Sequence, residues 1–268
     1  MPQLSLDCLT LTDTPPDQLV RAAGAAGFDL VSLWTGIPIF PHHGVTADNR
    51  DAVARALAET GVGVHTIEVF DLVSEEALES YRPALQLGAE LGARSATTIN
   101  FANPDRDDVV RLLHRFAAIA ESYGLATSLE PISVGHTRTL KDAAHLIADA
   151  GAKVGITFDF LHLVRTGGSA EDVRAIDPAL IRYVQVCDGP LEVAPELAPA
   201  EGTVARLLPG AGEFPVSALI AASPTHAIFA AECPDLARMQ SGATPGQRAL
   251  EAMQALRSVL PAINHAEA

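Results

Sequence analysis

Short β-like segments alternate with amphipathic helical segments along the whole sequence, and this alternation constrains the fold most strongly. Predicted helices over 47–61 and 74–92 end at or near glycines, and Ser74 is placed to cap the second of them. Strict alternation predicts a parallel sheet, and eight strand–helix units in 268 residues predict a single (β/α)8 TIM barrel over 1–268. A doubly wound open sheet is the alternative. The predicted strands span 4–9, 28–34, 62–70, 95–101, 125–132, 153–160, 181–188 and 226–233.

The composition fits one large core and disfavours several classes of function. Hydrophobic residues make up 48% of the chain, and the formal net charge of −15 disfavours binding to nucleic acid. The three cysteines have no paired spacing, which argues against a disulfide scaffold or a cysteine zinc site. The N-terminal segment has no basic region followed by an apolar stretch, and no apolar run is long enough to span a membrane. We expect a cytoplasmic protein.

Polar residues follow apolar runs at the predicted ends of four consecutive strands: Glu130, Asp159, Gln185 with Asp188, and Glu232. Active sites of barrels lie at the carboxyl ends of the strands, so these side chains are expected to converge. Three converging carboxylates repel one another and need a counter-charge, which a divalent cation supplies.

Each carboxylate also has a purely structural interpretation. Glu130 could be a surface residue before a proline, Asp159 could cap a helix, and Glu232 could pair with Arg238 at the surface. Their shared placement on neighbouring strands favours a common site.

Three further polar residues lie close to this predicted site in sequence. His162 follows Asp159 by three residues, which favours a role in orienting substrate. Arg165 could bind substrate or form a structural ion pair. Arg206 precedes a Gly-rich turn in the irregular stretch 189–213 and could bind a substrate oxygen or carboxylate.

Two other segments could contribute to substrate binding. Trp34, Phe40, His42 and His43 lie in or next to the loop after the second strand, where they could form the wall of a pocket, pack in the core or make a dimer contact. Asn100 ends the fourth strand and could donate a hydrogen bond to substrate.

Five motifs follow one another in the sequence: Glu130-Pro131-Ile132, Asp159-x-x-His162, VQVCD, Arg206 with PGAGEFP, and Glu232. In this order they resemble the sugar phosphate isomerase/epimerase family of xylose isomerase-like TIM barrels. The resemblance covers nearly the whole chain and is strongest over 125–235. It implies an enzyme acting on a small polyhydroxy carbonyl compound, with no nucleic-acid or membrane partner, and it suggests a homodimer.

The resemblance also implies one divalent metal ion. It places the ligands at Glu130, Asp159, Gln185 and Glu232, with Gln185 standing where the common pattern has His. Some dehydratase-like members of the group also use Gln at this position. A ligand set made only of oxygen atoms favours Mn²⁺ or Mg²⁺ over Zn²⁺.

The chemistry implied by the resemblance starts from a metal-stabilised enediolate. Glu130 and Glu232 are the expected catalytic acid/base pair, while His162 and Arg206, with Trp34 and Asn100, are expected to bind substrate. We expect an isomerase or epimerase of a keto-sugar-like substrate.

Three other functions are alternatives. A lyase of the 3-dehydroshikimate or inosose dehydratase type is favoured by Gln185. The formal net charge of −15 disfavours an endonuclease. A metal-free barrel that only binds or supports a partner would follow if the departure at Gln185 abolishes metal binding.

Overall fold

The structure is a computed structural model that describes residues 2–37, 43–194 and 197–260. Within these residues, eight parallel strands follow one another around a closed barrel, and the last strand pairs with the first. The predicted barrel is confirmed, and the open-sheet alternative is wrong. The strands are β1 (Leu4–Leu6), β2 (Leu30–Trp34), β3 (Gly63–Asp71), β4 (Ser95–Ile99), β5 (Ala126–Glu130), β6 (Val154–Asp159), β7 (Ile181–Val186) and β8 (Ile228–Ala231).

Helices follow the strands and cover the outside of the barrel. In the part of the chain that the structure describes, no helix is long and apolar enough to cross a membrane. The helices are α1 (Pro16–Ala26), α2 (Arg50–Thr60), α3 (Glu75–Ser80), α4 (Arg82–Glu90), α5 (Arg106–Ser122), α6 (Leu140–Ala150), α7 (Phe160–Arg165), α8 (Ala170–Arg174), α9 (Ala198–Val204), α10 (Val216–Ala222), α11 (Leu236–Gln240) and α12 (Pro245–Val259).

The helix predicted over 74–92 is two helices, α3 and α4. Ser74 caps α3 as predicted, because its side chain accepts a hydrogen bond from the Ala77 amide. Pro83 lies in the first turn of α4. Since proline has no N–H to donate to the preceding turn, it is tolerated at the start of a helix but breaks a continuous one.

The first strand is shorter than predicted because Asp7 ends it. The Asp7 side chain accepts a hydrogen bond from the Leu9 amide at 3.1 Å and caps a 3-10 helix at Cys8–Leu11. The chain therefore turns away from the sheet after Leu6. This turn leaves the Asp7 carboxylate buried at the carboxyl end of β1.

The strands are buried on both faces, as a parallel sheet covered by helices requires. Hydroxyl groups on neighbouring strands pair with each other, as between Ser128 and Thr157 at 2.7 Å. Between barrel and helices, Leu, Val, Ala and Phe side chains form the core, and the rings of Phe70 and Phe116 lie 5.5 Å apart. This packing gives the strand ends a rigid support.

The long segment after β7 is anchored by one buried carboxylate. Asp188 accepts hydrogen bonds from the amides of Gly189, Gly210 and Phe214 at 2.8–3.0 Å. The stretch 189–213, predicted to be irregular, contains the helix α9. These contacts fix the position of Arg206, which lies between α9 and the Gly-rich turn.

Candidate active site

Four polar side chains lie where four consecutive strands end. Glu130 and Asp159 are the last residues of β5 and β6, Gln185 is next to last in β7, and Glu232 directly follows β8. Asp159 and Gln185 are register partners on neighbouring strands. All four residues are buried. The structure therefore brings the four predicted metal ligands to one end of the barrel, and their binding of a metal stays a prediction.

Arg206 lies between two of these carboxylates. Its Nη1 atom is 2.7 Å from Asp159 Oδ2 and 2.6 Å from Glu232 Oε2, and the side chain is 2% exposed. The alternative surface pair between Glu232 and Arg238 is wrong, because Arg238 pairs with Glu251. The guanidinium thus supplies positive charge at the point where two carboxylates converge.

His162 faces the same carboxylates from α7. Its Nε2 atom lies 3.7 Å from Asp159 Oδ2 and 3.9 Å from Glu130 Oε1, while its Nδ1 atom lies 3.1 Å from Ser133 Oγ. Burial lowers the pKa of His162 to about 4, so the imidazole is neutral at neutral pH. A neutral ring held in this orientation can make a hydrogen bond to a substrate hydroxyl or bind a metal ion.

The carboxylates differ in their proton affinity. Burial, together with the charge of Asp159, raises the pKa of Glu130 well above its ordinary value, and burial also raises that of Glu232. For Asp159, burial acts in the same direction, but Arg206 and His162 outweigh it and the pKa is lowered. Asp159 is therefore ionised, while the two glutamates hold a proton more tightly than an exposed glutamate does.

Among the described residues, one hydrogen bond fixes the amide group of Gln185. Its Nε2 atom donates to Asp7 Oδ2 at 3.1 Å. Its Oε1 atom is buried and has no hydrogen-bond partner among the described residues. A buried acceptor that is left unpaired costs about 1–3 kcal/mol of stability. Such an oxygen is therefore suited to coordinate a metal ion.

Two buried carboxylates of this region, Asp7 and Glu68, were not expected from the sequence. They lie with Cys8 in a second cluster, in which the possible ligand atoms are within 4.8 Å of one another. Burial raises the pKa of the Cys8 thiol well above its ordinary value, and a protonated thiol is a poor metal ligand. The cluster around Glu130 is therefore the better candidate for a metal. Asp7 did carry a usable signal, a carboxylate at the end of an apolar run, whereas Glu68 lies inside β3 and carried none.

A cavity of about 380 Å³ opens beside these side chains. This volume lies within the range of small-molecule sites. The lining combines charged residues with apolar residues. It includes Glu68, Glu130, His162, Arg206, Glu232, Arg138 and Arg165 together with Leu9, Trp34, Val69, Ile99, Phe101, Ile132, Val134 and Leu161.

The two remaining predicted substrate contacts are placed differently. Trp34 is part of the cavity lining, and its indole N–H donates to the Ile37 carbonyl. Asn100 lies outside the lining, and its Nδ2 atom donates to Thr137 Oγ1 at 3.2 Å. Asn100 thus holds the segment after β5, and a contact with substrate stays a prediction.

The other residues considered after the second strand are only partly described. Phe40 and His42 lie outside the described residues. His43 is buried, and its ring centre lies 6.1 Å from that of Trp34.

Arg165 forms the structural ion pair that was one of its two interpretations. Its Nε atom is 2.7 Å from Glu201 Oε2, and its Nη2 atom also contacts that carboxylate. The same guanidinium donates to the carbonyls of Pro190 and Leu191 and lies 5.1 Å above the ring of Phe214. Arg165 therefore fastens the segment after β7 over the cavity.

The donor set fits a hard divalent cation. Asp159 Oδ2 and Glu232 Oε2 already converge on one positively charged nitrogen of Arg206. The ligand atoms of Glu130 and Asp159 lie within 4.8 Å of each other and of a His162 nitrogen. The unpaired Oε1 of Gln185 adds a neutral oxygen. Carboxylate and amide oxygens suit Mg²⁺ and Mn²⁺.

Comparison with known families decides the classification. A family profile described as the xylose isomerase-like TIM barrel matches residues 20–259. The chain belongs to this family. The resemblance seen in the sequence motifs is thereby confirmed. No curated protein matches the sequence closely enough to be significant.

Solved structures of the family share the fold at low identity. A xylose isomerase-like TIM barrel/4-hydroxyphenylpyruvate dioxygenase fusion protein is 22% identical with a TM-score of 0.82, and the match covers 96% of this chain and 42% of that one. An IolI protein with a bound zinc atom is 16% identical with a TM-score of 0.78, covering 96% and 98%. D-allulose 3-epimerase from Methylomonas sp. is 16% identical with a TM-score of 0.71, covering 97% and 98%.

Proposed function

We propose that this protein is a divalent-metal-dependent isomerase or epimerase of a small, keto-sugar-like polyhydroxy carbonyl compound. The observation that carries the proposal is the convergence of two buried glutamates with Asp159 and Gln185 at the ends of four consecutive strands. The family membership, a zinc-containing neighbour and an epimerase neighbour support it.

Glu130, Asp159, Gln185 and Glu232 would hold the metal, with Mn²⁺ or Mg²⁺ preferred because every donor atom is an oxygen. When bound, the ion would supply a Lewis acid that polarises a carbonyl and makes the adjacent C–H group more acidic.

The two glutamates would carry the protons. A glutamate at the reacting carbon can remove a proton as a carboxylate in one step and return it as a carboxylic acid in another. Glu130 lies on the side of His162, and Glu232 lies on the side of Arg206. Return of the proton to the opposite face of the same carbon gives epimerisation, and return to the neighbouring carbon gives isomerisation.

His162 and Arg206 would orient the substrate. The Ser133 hydroxyl holds the imidazole at Nδ1, so its Nε2 atom is directed to the region between Glu130 and Asp159. Arg206 lines the cavity and fixes Asp159 and Glu232. The apolar residues of the lining, which include Trp34, would exclude water from the reacting carbon.

The experiment is hydrogen exchange from solvent. The Mn²⁺-loaded protein is incubated in D₂O with a panel of ketopentoses and ketohexoses, and loss of the proton signal next to the carbonyl is followed by NMR. We expect exchange and product for at least one sugar. Glu130→Gln and Glu232→Gln should each slow product formation by roughly 10²–10⁴-fold. Absence of exchange across the panel, with metal bound, would contradict the proposal.

A second candidate is a lyase that dehydrates a polyhydroxy ring ketone with a carboxylate group, such as 3-dehydroshikimate. The observation that favours it is Arg138, which lines the cavity. Within the described residues its guanidinium makes one hydrogen bond, from Nε to the Ser133 carbonyl at 2.9 Å. Its remaining N–H groups are therefore available to a carboxylate. Of the two arginines that the sequence offered for binding substrate, Arg165 pairs with Glu201, and Nη1 of Arg206 pairs with Asp159 and Glu232.

Ring ketones added to the same panel separate the two candidates. Dehydration creates a C=C bond conjugated with the carbonyl, which is detected by ultraviolet absorbance, whereas isomerisation does not. An Arg138→Gln variant should raise KM for an acidic ring ketone and leave KM for a neutral sugar unchanged. An unchanged KM for the acidic substrate would remove the basis for the lyase.

A further inference from the structure

The amide of Gln185 can be oriented in two ways that exchange its oxygen and its NH₂ group. Only one of them presents Oε1 as a possible ligand. The two groups are similar in size, so packing alone does not choose between them. The choice depends on the hydrogen-bonding character of the neighbour, which here is Asp7 at 3.1 Å.

Asp7 can only accept hydrogen bonds when ionised, and both of its oxygens are engaged. Oδ1 accepts from the Leu9 amide at 3.1 Å, while Oδ2 faces Gln185 Nε2 and lies 3.4 Å from the Tyr183 hydroxyl. The backbone of Asp7 is itself fixed, since its amide donates to the Ala231 carbonyl at 3.0 Å. The carboxylate therefore requires the NH₂ group of Gln185 on its own side.

We propose that Asp7 is a positioning residue that turns Gln185 Oε1 away from itself and so makes Gln185 a metal ligand. This inference rests on the proposed metal-dependent function. Oε1 is fully buried and lacks a hydrogen-bond partner among the described residues. The register partner of Gln185, on the strand next to it, is Asp159, which belongs to the same ligand set. Partners that orient metal ligands typically change metal affinity 10–100-fold when removed.

The structure predicts an unusual effect of the isosteric variant Asp7→Asn. The Leu9 amide would keep an oxygen of the new side chain on its side, because it needs an acceptor. The amide NH₂ of the variant would then face Gln185, and two donors would oppose each other. Gln185 would turn over and give Oε1 to this NH₂ group, so that the local hydrogen bonds are kept and the metal ligand is lost.

The test is Mn²⁺ affinity, measured by calorimetry on the metal-free protein with thermal unfolding as a check on folding. Asp7→Asn should weaken Mn²⁺ binding by about 10–100-fold. The double variant Asp7→Asn with Gln185→Glu should recover affinity to within a few-fold of wild type. Its new carboxylate can accept from the variant's NH₂ with one oxygen and offer the other to Mn²⁺.

Glu68→Gln is the control for a change at a neighbouring buried carboxyl group, whose pKa burial raises well above its ordinary value. Glu68 belongs to the same cluster as Asp7, but the Gln185 amide donates to Asp7 and not to Glu68. We expect this variant to change Mn²⁺ affinity less than about threefold, because it leaves the hydrogen bond between Gln185 and Asp7 in place.

The outcomes distinguish the inference from the proposed function. If wild type binds no Mn²⁺, both are contradicted. If wild type binds Mn²⁺ but Asp7→Asn binds it equally well, or the double variant is no better than Asp7→Asn, only the positioning role of Asp7 is overturned.

Discussion

The buried position of Arg206 between Asp159 and Glu232 leads to a quantitative prediction about stability. In Arg206→Met, the two carboxylates keep their burial and lose the cation that lies 2.6–2.7 Å from each of them. Removing one partner of a buried ion pair costs about 3–5 kcal/mol, because an uncompensated charge remains. At this chain length, 1 kcal/mol corresponds to roughly 2 °C in Tm. Without metal, the variant should unfold roughly 6–10 °C below wild type.

A divalent cation should replace part of what the guanidinium supplied. A ligand that binds only the folded state at about 100 times its Kd adds about 2.7 kcal/mol of stability. The variant, whose carboxylates have no competing cation, should gain more from Mn²⁺ than wild type does. We therefore expect the difference in Tm to fall by at least half in Mn²⁺.

The assay is thermal unfolding followed by circular dichroism, in chelator and in millimolar Mn²⁺. Arg248→Met is the matched control, because Arg248 is also a buried arginine but pairs with Asp13, whose side chain is 46% exposed. Its loss of stability should be the same in both conditions. A difference between Arg206→Met and wild type that Mn²⁺ leaves unchanged would refute the assignment of Asp159 and Glu232 as metal ligands.

Three further predictions concern the surroundings of the site. Asp188→Asn removes the charge from an acceptor of three backbone amides, so chemical denaturation should show a loss of about 1.5–3 kcal/mol in the free energy of unfolding. An unchanged value would contradict the anchoring role. Arg165→Met releases Glu201 and the segment after β7, and limited proteolysis should cut this segment faster than in wild type. Burial lowers the pKa of His65 in the folded protein to about 4. As the pH falls below about 6.5, the unfolded chain therefore takes up the proton before the folded protein does. The free energy of unfolding should then decrease between about pH 6.5 and pH 4. His65→Phe should lessen this loss by roughly 3 kcal/mol, as measured by unfolding at pH 7 and pH 4.5, and equal losses in both proteins would contradict it.

The fold could be predicted from the sequence because its main signal is local. Each strand–helix unit carries its own periodicity, and eight units leave few topologies. The errors lie where a single side chain overrides the pattern. Asp7 ends β1 early by capping a 3-10 helix, and Pro83 divides the helix predicted over 74–92.

The candidate site could be predicted only in part. The rule that polar residues at strand ends converge found Glu130, Asp159, Gln185 and Glu232, because strand ends are local features. The contact of Arg206 with Asp159 spans 47 residues and depends on how the segment after β7 folds back, which no local pattern records. Glu68 was missed because the sequence after it continues as an apolar run, so it looked like an interior strand position.

The central claim is that one divalent cation is held by the four strand-end residues. Its most direct test is metal content and Mn²⁺ affinity, by elemental analysis and calorimetry, for wild type and for Glu130→Gln, Asp159→Asn, Gln185→Met and Glu232→Gln. We expect about one ion per chain in wild type and a large loss of affinity in each variant, since all four ligands serve one ion. Wild type that binds no Mn²⁺ at millimolar concentration, or four variants that bind it as wild type does, would contradict the claim.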